Sequence, residues 1–352
     1  MYFLGIDIGK HNHVASLMDE QGKVIFKAFS FPNTTKGGDA LLGKLGQYTN
    51  DTAMVDVGLE ATGHYWLALY AFLHERSYTL HVINPIQIDG WRKGVEIRKR
   101  KTDTIDSLLI ADLIRYGDFL ETKLPDETLL SLRALSRFRS FLVDSIADLK
   151  RKVICVLDQV FPEYQSVFSD VFGTTSKELL LAYPTPALLE RVSVDALEAL
   201  LSDLSRKRCQ AHQAKKLHDL ASNSFGLSFC SDSFSFQLRA LLEQMKFIER
   251  QVKDTECEIA AIMDTLQSPI TTITGIGPVL GAVILGEIGD ITRFSSPGKL
   301  VAYTGIDASV SQSGESSSTN NRISKRGSPY LRRALYQASV VAAFHDPDLM
   351  AF

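Results

Sequence analysis

The sequence predicts an α/β domain at the N-terminus followed by a mostly helical remainder. Over the first hundred residues, short apolar segments bounded by turn-forming residues alternate with segments of helical periodicity. After residue 103 the strand signals fade, and apolar residues recur at intervals of three and four positions, which is the spacing of a buried helix face.

Three strands open the α/β domain. Residues 2–8, 14–18 and 24–31 are short and apolar, and turn-forming sequences such as Asp19-Glu20-Gln21-Gly22 separate them. Leu41, Leu42 and Leu45 then mark a helix face, and residues 53–59, 65–73 and 78–83 indicate a strand, a helix and a strand. This is the element order of a ribonuclease H-like, or RuvC-like, α/β domain, which we expect to span residues 1–118.

Two long helices are predicted in residues 119–268. In the first, apolar residues follow mostly three- and four-residue steps until Phe161-Pro162 ends the helix. The second carries a seam with alternating steps of three and four, formed by Leu238, Leu241, Met245, Ile248, Val252, Thr255, Ile259, Ile262 and Leu266. Such a seam is typical of a coiled coil, within the chain or between subunits, so we expect a helical oligomerisation region here.

Residues 269–352 form the third predicted region, which is mostly helical. It begins with Thr274-Gly275-Ile276-Gly277-Pro278 and an apolar segment, a sequence that resembles the turn of a helix-hairpin-helix element. Backbone N–H groups at such a turn can hold a phosphate without reading base sequence. We therefore expect Gly275 and Gly277 to contact nucleic acid.

The composition is that of an ordinary soluble protein of 352 residues, with 45% apolar residues and a formal net charge of −3. No apolar run approaches the ~18 residues that cross a membrane, so we expect a cytoplasmic protein without membrane association. The four cysteines form no C-x-x-C pair, which argues against a zinc knuckle or a disulfide framework, and we expect them in the core. The near-neutral charge argues against indiscriminate coating of nucleic acid but allows local basic patches.

Four acidic residues are candidates for a metal site. Asp7 ends the first predicted strand and Glu60 ends the fourth, so adjacent strand ends would bring them together. Asp103 and Asp106 lie three positions apart at a helix start and share one face. Converging carboxylates need cations, and all-oxygen ligand sets suit Mg²⁺ or Mn²⁺, a pair of which can assist displacement at phosphorus. The alternative is that each acid is solvated or caps a helix, as Asp103 would at an N-cap.

Two basic clusters suit a polyanionic substrate. Residues 92–101 carry six positive charges and one negative, immediately before the paired aspartates. The alternative for this segment is a solvated charged loop. The residues expected to contact nucleic acid in the two clusters are Arg98, Lys99, Arg100, Lys101, Arg322, Lys325, Arg326, Arg332 and Arg333.

A serine-rich segment, residues 309–318, lies between the Gly-rich turn and the second basic cluster. Its composition favours a flexible polar loop. A serine nucleophile is also chemically sensible here, because nearby arginines and a metal would stabilise the charge that develops at phosphorus. Residue chemistry alone does not choose among its six serines. His11 and His13 lie close to Asp7 in sequence, which allows a phosphate contact as one interpretation. No zinc-ligand spacing includes them, and the interpretation in which neither has a functional role is favoured.

Ordered sequence blocks over nearly the whole chain resemble the DEDD transposases of the insertion sequence 110 family, which includes the Piv-type DNA invertases. The N-terminal blocks are Gly5-Ile6-Asp7, Asn33-Thr34-Thr35-Lys36-Gly37, Glu60-Ala61-Thr62-Gly63, Val82-Ile83-Asn84-Pro85 and Lys101-Thr102-Asp103-Thr104-Ile105-Asp106. The C-terminal blocks are Gly275-Ile276-Gly277, Ile288-Gly289-Asp290, Arg293-Phe294, Tyr303-Thr304-Gly305, Ser313-Gly314, Arg322-Ile323-Ser324-Lys325-Arg326-Gly327 and Leu331-Arg332-Arg333-Ala334-Leu335-Tyr336.

The resemblance implies that Asp7, Glu60, Asp103 and Asp106 hold Mg²⁺ in a RuvC-like domain. It also implies that Ser313, the serine of the Ser-Gly block, attacks a DNA phosphodiester and forms a covalent phosphoserine link. Members of the family use a structured noncoding bridge RNA that pairs with target and donor DNA, and they assemble as tetramers through the coiled coil. The resemblance therefore implies a homo-oligomer, dimer to tetramer, in which a composite active site forms on assembly.

Two departures from the family pattern and three alternatives accompany this interpretation. Members usually continue past His345-Asp346-Pro347 with a further basic helix, and residues 166–235 are longer than the minimal pattern. One alternative is a RuvC-like nuclease or junction resolvase that uses water and does not need Ser313. A second is an actin-like ATP-binding protein, because residues 4–9 resemble that group's first phosphate loop. A third is a nucleic-acid scaffold without chemical activity.

Overall fold

The computed structural model of the chain describes residues 1–61, 63–95, 102–119, 124–205, 211–308, 312–313, 316–317 and 322–351. These residues divide into two compact units, Met1–Leu124 and Pro125–Phe352. Within the described residues, no helix is both long enough and apolar enough to cross a membrane.

The first unit is built on a five-stranded mixed sheet with the strand order β3-β2-β1-β4-β5. Its strands are β1 (Tyr2–Asp7), β2 (Asn12–Asp19), β3 (Val24–Pro32), β4 (Val55–Glu60) and β5 (Thr79–Ile83). Strand β1 is antiparallel to β2 and parallel to β4, which is parallel to β5. The predicted order of strands and helices is confirmed. Strand β4 begins two residues later than predicted, because Thr52–Met54 form a 3-10 turn that the Asp51 side chain caps.

In the described part of the first unit, four helices accompany the sheet, namely α1 (Thr35–Leu45), α2 (Trp66–His74), α3 (Pro85–Val95) and α4 (Asp103–Tyr116). The hydroxyl of Thr34 accepts a hydrogen bond from the Gly37 amide and so caps α1, whose Leu41 and Leu45 are buried as predicted. Apolar residues on one face of the sheet form a core with α1 and α2. On the other face, Ile83 packs with Ile110 of α4.

Helix α4 lies unusually close to strand β1. A Cβ atom on Gly5 would be 2.1 Å from the Ser107 carbonyl oxygen and 2.4 Å from the Ala111 amide nitrogen. Only glycine leaves room for this approach. The buried hydroxyls of Ser16 in β2 and Ser107 are hydrogen bonded at 2.7 Å. The fold therefore holds the start of α4 against the central strands.

The second unit is helical around two long helices. Its helices are α5 (Glu127–Val160), α6 (Thr174–Ala182), α7 (Pro186–Leu189), α8 (Val194–Leu204), α9 (Ala211–Ser222), α10 (Ser231–Leu266), α11 (Pro278–Ile288), α12 (Pro297–Thr304), α13 (Pro329–His345) and α14 (Pro347–Met350). Leu132 packs near Ile259, whereas Val153 packs with Leu238, so α5 and α10 run antiparallel. This pairing lies within one chain, the first of the two predicted alternatives. The predicted boundary at residues 268–269 remains a prediction.

The buried seam of α10 differs in part from the predicted heptads. Leu238, Met245, Ile248, Thr255 and Ile259 are buried as predicted. Leu242 and Met263 are also buried, whereas their neighbours Leu241 and Ile262 are only half-buried. A straight helix has about 3.6 residues per turn, so the buried face drifts relative to a strict 3.5-residue repeat.

The polar stretch 166–235 folds against the two long helices. The buried Tyr164 packs in the same core as Leu179 and Leu197, and its hydroxyl contacts the backbone carbonyl oxygen of Ser176 at 3.1 Å. The expectation that the cysteines fill the core is wrong for the three described ones, since Cys155, Cys230 and Cys257 are exposed. Cysteine spacing does not report which helix face a residue occupies.

Candidate active site

The ends of strands β1 and β4 bring two of the predicted acidic residues to one edge of the sheet. Ile6 pairs with Leu59 in the parallel ladder, and Asp7 and Glu60 are the next residue of each strand. The carboxyl ends of parallel strands meet at one edge, where loops and helix ends form sites in open α/β sheets. This placement agrees with the expectation from the strand pattern.

Asp103 and Asp106 lie in the first turn of α4, as predicted. The N-cap is Thr102, whose hydroxyl accepts a hydrogen bond from the Ile105 amide. Asp103 is therefore not the capping residue, which had been the alternative to a functional role. Both carboxylates lie near the positive end of the helix dipole, which favours their negative charge.

The other three carboxylates lie within electrostatic reach of Asp7. The pKa of Asp7 is raised from 3.8 to about 7, chiefly by burial and then by the negative charges of Glu60, Asp106 and Asp103, in that order of importance. Positive charge at this point would relieve the repulsion, and carboxylate oxygens are the ligands that Mg²⁺ and Mn²⁺ prefer. The chemistry of these side chains therefore fits such a cation. In the described part of the chain, no group of three or more Asp, Glu, His or Cys side chains is close enough together to hold a metal ion as it stands.

The guanidinium group of Arg92 contacts one carboxylate of this cluster. Arg92 in α3 donates to Asp106 Oδ1 through Nη2 at 2.7 Å and to Asp89 Oδ1 through Nη1 at 2.7 Å. Arg92 and Asp106 are both largely buried. Sequence analysis assigned Arg92 only to a basic segment facing the substrate, and its spacing from Asp106 gave no sign of the ion pair. Arg98, Lys99, Arg100 and Lys101 lie outside the described residues.

The residues on either side of the serine-rich segment in the second unit contact each other. We call these two flanking stretches, residues 305–308 and 323–327, the stem. Ala308 and Ile323 form a β-bridge, and the Lys325 amide donates to the Gly305 carbonyl oxygen at 2.9 Å. Gly305 has φ +71°, and a Cβ there would lie 2.6 Å from the Gly327 amide nitrogen. The backbones on both sides of the segment are therefore in direct contact.

Ser313 belongs to a two-residue strand within this segment. Strand β6 (Gln312–Ser313) pairs antiparallel with β7 (Ser316–Ser317), and Ser313 is opposite Ser316. The Ser313 side chain lies outside the described residues. The described backbone therefore forms two short antiparallel strands at the predicted nucleophile.

The second basic cluster divides into two groups. Arg322, Lys325 and Arg326 are exposed beside the stem. Arg332 instead donates to the carbonyl oxygens of Thr304 and Gly327, and Arg333 forms an ion pair with Asp144 at 2.8 Å. Contacts of all five with nucleic acid remain predictions, and the first three are the more accessible.

The two glycines of the predicted phosphate-binding turn have different surroundings. Gly275 has φ +86°, and a Cβ there would lie 2.5 Å from the Ala338 carbonyl oxygen in α13. Gly277 is exposed at the N-cap of α11, with no atom within 4 Å of its Cβ position. Gly275 therefore allows close packing, and Gly277 leaves the helix start open. Binding of phosphate at this turn remains a prediction.

A buried ion pair that the sequence did not predict fastens α11 to α5. Glu287 is 2% exposed and accepts hydrogen bonds from Arg137 Nε at 2.7 Å and Nη2 at 3.0 Å. Arg133 Nε donates to the Gly286 carbonyl oxygen at 2.7 Å. A lone glutamate in an apolar helical segment was the available signal, since buried carboxylates need a partner.

Known transposases share the sequence features of both units. Residues 4–162 match a DEDD family profile described as "Transposase", and residues 267–352 match a profile described as "Transposase IS116/IS110/IS902 family". The two matches together cover more than half of the chain.

Individual relatives align over almost the full length. The IS117 mini-circle protein of Streptomyces coelicolor is 27% identical over 97% of this chain and 86% of its own length. The 44.8 kDa protein of insertion element IS116 from Streptomyces clavuligerus is 25% identical, with 97% and 84% covered. The pilin gene-inverting protein of Moraxella lacunata is 22% identical, with 97% and 83% covered. The chain thus belongs to the IS110 family of transposases, enzymes that cleave and rejoin DNA.

Proposed function

We propose that this transposase recombines DNA through a phosphoserine intermediate at Ser313, together with a four-carboxylate site in a ribonuclease H-like, RuvC-like domain. The observation that carries the proposal is the raised pKa of Asp7, which reflects burial and the proximity of Glu60, Asp106 and Asp103. Perturbed pKa values cluster at functional sites, and converging carboxylates favour binding of a cation, which in turn attracts phosphate oxygens.

Asp7, Glu60, Asp103 and Asp106 would hold Mg²⁺ or Mn²⁺, which would supply a Lewis acid for the negative charge that develops on phosphate oxygens. Arg92 neutralises Asp106 through the ion pair described above. In the proposal, the negative charge of these carboxylates attracts the cation. Helix α4, which packs tightly against β1, fixes the positions of Asp103 and Asp106.

Ser313 performs the covalent step in this proposal. Its hydroxyl oxygen forms a bond to phosphorus as the hydroxyl proton leaves, and the bond from phosphorus to one strand oxygen breaks, releasing a strand with a free hydroxyl. Attack of a hydroxyl from the exchanged strand reverses the step and frees the serine. Arg322, Lys325 and Arg326, exposed beside the stem, would offset the phosphate charge.

The proposal extends to the partners. A structured noncoding bridge RNA pairs with donor and target double-stranded DNA, so the protein contacts mainly backbone and duplex shape. Each of three regions has its own role: residues 1–118 contain the four-carboxylate site, residues 119–268 mediate oligomerisation, and residues 269–352 contain the serine nucleophile. The chain acts in the cytoplasm as a homo-oligomer, dimer to tetramer, whose composite site limits stray cleavage.

The covalent step is tested with radiolabelled substrate DNA and denaturing gels. Wild-type protein should form a protein–DNA adduct that Ser313→Ala abolishes, with strand cleavage falling by about a thousandfold or more. Ser318→Ala, in the same segment, is the matched control and should retain the adduct. Full cleavage by Ser313→Ala would instead indicate a nuclease that uses water, and full cleavage by Asp7→Asn would exclude the four-carboxylate site.

Guidance by RNA is tested by sequencing the RNA that co-purifies with the protein from its host at moderate salt, which removes weakly held RNA. One discrete structured species with segments complementary to donor and target DNA is the expected result. A random mixture, or no RNA, would contradict guidance and favour an unguided invertase.

A further inference from the structure

The first unit contains a cavity on the sheet face opposite the acidic cluster. Its volume is about 250 Å³, and it lies between the start of α1 and helix α2. Val14 pairs with Asp7, and because successive strand side chains alternate, the neighbouring His13 points to the other face. The cavity is therefore separate from the four carboxylates.

The floor of the cavity carries an unusual buried polar group. His13 is 1% exposed and packs edge-on against Phe31, with ring centroids 5.3 Å apart. Neither ring nitrogen has a hydrogen-bond partner within the described residues. The Asn33 side chain opposes the effect of burial on the imidazole pKa, but it makes no hydrogen bond with either ring nitrogen. Leaving a buried polar group unpaired is costly, so His13 is set up for a partner that enters the cavity.

The walls and rim have a different character from the floor. Phe72 is a wall residue that Arg76 fixes, with the guanidinium 3.7 Å from the ring centroid and a hydrogen bond to the Phe72 carbonyl oxygen. Thr35 and Ala68 are exposed at the rim. The cavity thus combines aromatic walls, an open mouth and a polar floor.

We propose that this cavity binds a single nucleobase, unstacked from a single-stranded part of the nucleic acid on which the enzyme acts. The inference rests on the proposed function only in taking nucleic acid as the substrate. Sites for drug-sized ligands usually exceed ~300 Å³, so a 250 Å³ cavity suits one planar heterocycle.

The chemistry of the lining matches a base edge. Burial lowers the pKa of His13, and a neutral imidazole offers one donor and one acceptor. The Asn33 amide offers both as well. Bases present adjacent donors and acceptors on their edges, and their flat faces stack on aromatic side chains.

A phosphate fits the cavity less well. Among the described residues that line it there is no lysine or arginine. The Gly37 amide, one of the N–H groups at the start of α1, already donates to the Thr34 hydroxyl. Phosphate sites gain most from charged donors and free helix amides, whereas this cavity has a neutral floor and aromatic walls.

The test uses the full-length protein and two fluorescent single-stranded DNAs of about ten nucleotides, one with ordinary bases and one abasic throughout. Wild-type protein should bind the ordinary strand about tenfold more tightly than the abasic strand, as expected for one stacked base. Basic residues elsewhere hold the backbones of both strands, so the ratio of the two dissociation constants reports the contribution of the bases, and the cavity variants assign that contribution to the cavity.

Three variants test the cavity: one blocks its mouth, one is the matched control outside it, and one removes its buried polar group. Ala68→Phe places a ring at the mouth, and Ala71→Phe places the same ring at an exposed position of the same helix that does not line the cavity. His13→Leu keeps most of the volume and removes both ring nitrogens. The tenfold ratio should disappear in Ala68→Phe, fall in His13→Leu and persist in Ala71→Phe.

Equal binding of both strands by the wild type would overturn the inference, as would an unchanged ratio in Ala68→Phe. Displacement of the ordinary strand from the wild type, but not from Ala68→Phe, by inorganic phosphate would overturn it in favour of an anion site. Cleavage of recombination substrate is measured in parallel. If cleavage were intact but the two strands bound equally, only the proposed role of the cavity would be refuted. If the ordinary strand bound more tightly but no cleavage occurred, only the proposed function would be refuted.

Discussion

Replacing Gly5 by alanine tests whether strand β1 fixes the position of helix α4. The new Cβ would lie 2.1 Å from the Ser107 carbonyl oxygen and 2.4 Å from the Ala111 amide nitrogen, whereas ordinary contacts begin at 3.4 Å. Both atoms belong to the helix backbone, so no side-chain rotation relieves the overlap. The helix must move by about 1 Å or more relative to the strand.

The magnitude follows from two opposing effects. Overpacking of a close-packed core costs about 1–3 kcal/mol. Alanine also restricts the unfolded chain more than glycine does, which stabilises the folded state by about 0.4–1 kcal/mol. We expect Gly5→Ala to lower the free energy of unfolding of the first unit by about 1–2 kcal/mol. In the proposed mechanism Asp103 and Asp106, which begin α4, hold the metal, so cleavage by Gly5→Ala should also require more Mg²⁺.

The assay is urea unfolding followed by tryptophan fluorescence. The chain has two tryptophans, Trp66 and Trp91, and both lie in the first unit, so the signal reports on that unit alone. Gly43→Ala is the matched control, because Gly43 is in α1 with nothing within 4 Å of its Cβ position. That variant should be more stable by about 0.5–1 kcal/mol. If Gly5→Ala were as stable as Gly43→Ala, the argument for a tight contact between β1 and α4 would be wrong.

Two further predictions concern charge. Without divalent cations, the free energy of unfolding of the first unit should fall as the pH rises from about 4 to about 7, because folded Asp7 keeps its proton up to a pKa of about 7 while the unfolded chain loses it near 3.8. Asp7→Asn should remove this slope in the same fluorescence assay, and an unchanged slope would contradict it. Glu287→Gln should cost about 1–2 kcal/mol in unfolding followed by circular dichroism, because the half-exposed Arg137 loses a charged partner that is itself buried. Asp144→Asn, which breaks the exposed pair with Arg333, should cost less than about 0.5 kcal/mol, and equal costs would contradict the burial argument.

Local patterns were sufficient to predict the sheet and the acidic edge. Turn chemistry and short apolar segments predicted the strands, and the ends of β1 and β4 then placed Asp7 and Glu60 together. The ion pair of Arg92 with Asp106 depends on how α3 docks beside α4, and no spacing rule describes that. The same holds for the cavity at His13, which needs the packing of α1 and α2 on the sheet.

The α10 seam shows a second limit of sequence patterns. Both Leu241 and Leu242 are apolar, so periodicity alone selects either, and the packing of α5 decides that Leu242 is buried. The role of Ser313 came from family resemblance, and that of the basic residues at 98–101 came from the clustering of positive charge before the paired aspartates. They remain predictions, since these side chains lie outside the described residues.

The clamped stem below the serine-rich segment has a consequence for how the enzyme can diversify. Because Gly305 meets Gly327 backbone to backbone and Ala308 pairs with Ile323, the ends of the segment are joined by contacts that do not involve the residues between them. Doubling the length of a loop closed in this way adds only about 0.6 kcal/mol of closure entropy. The stem therefore allows the serine-rich segment to vary in length and sequence between two fixed ends. Transposases of mobile elements with different DNA preferences can differ in this segment while the helical scaffold stays the same.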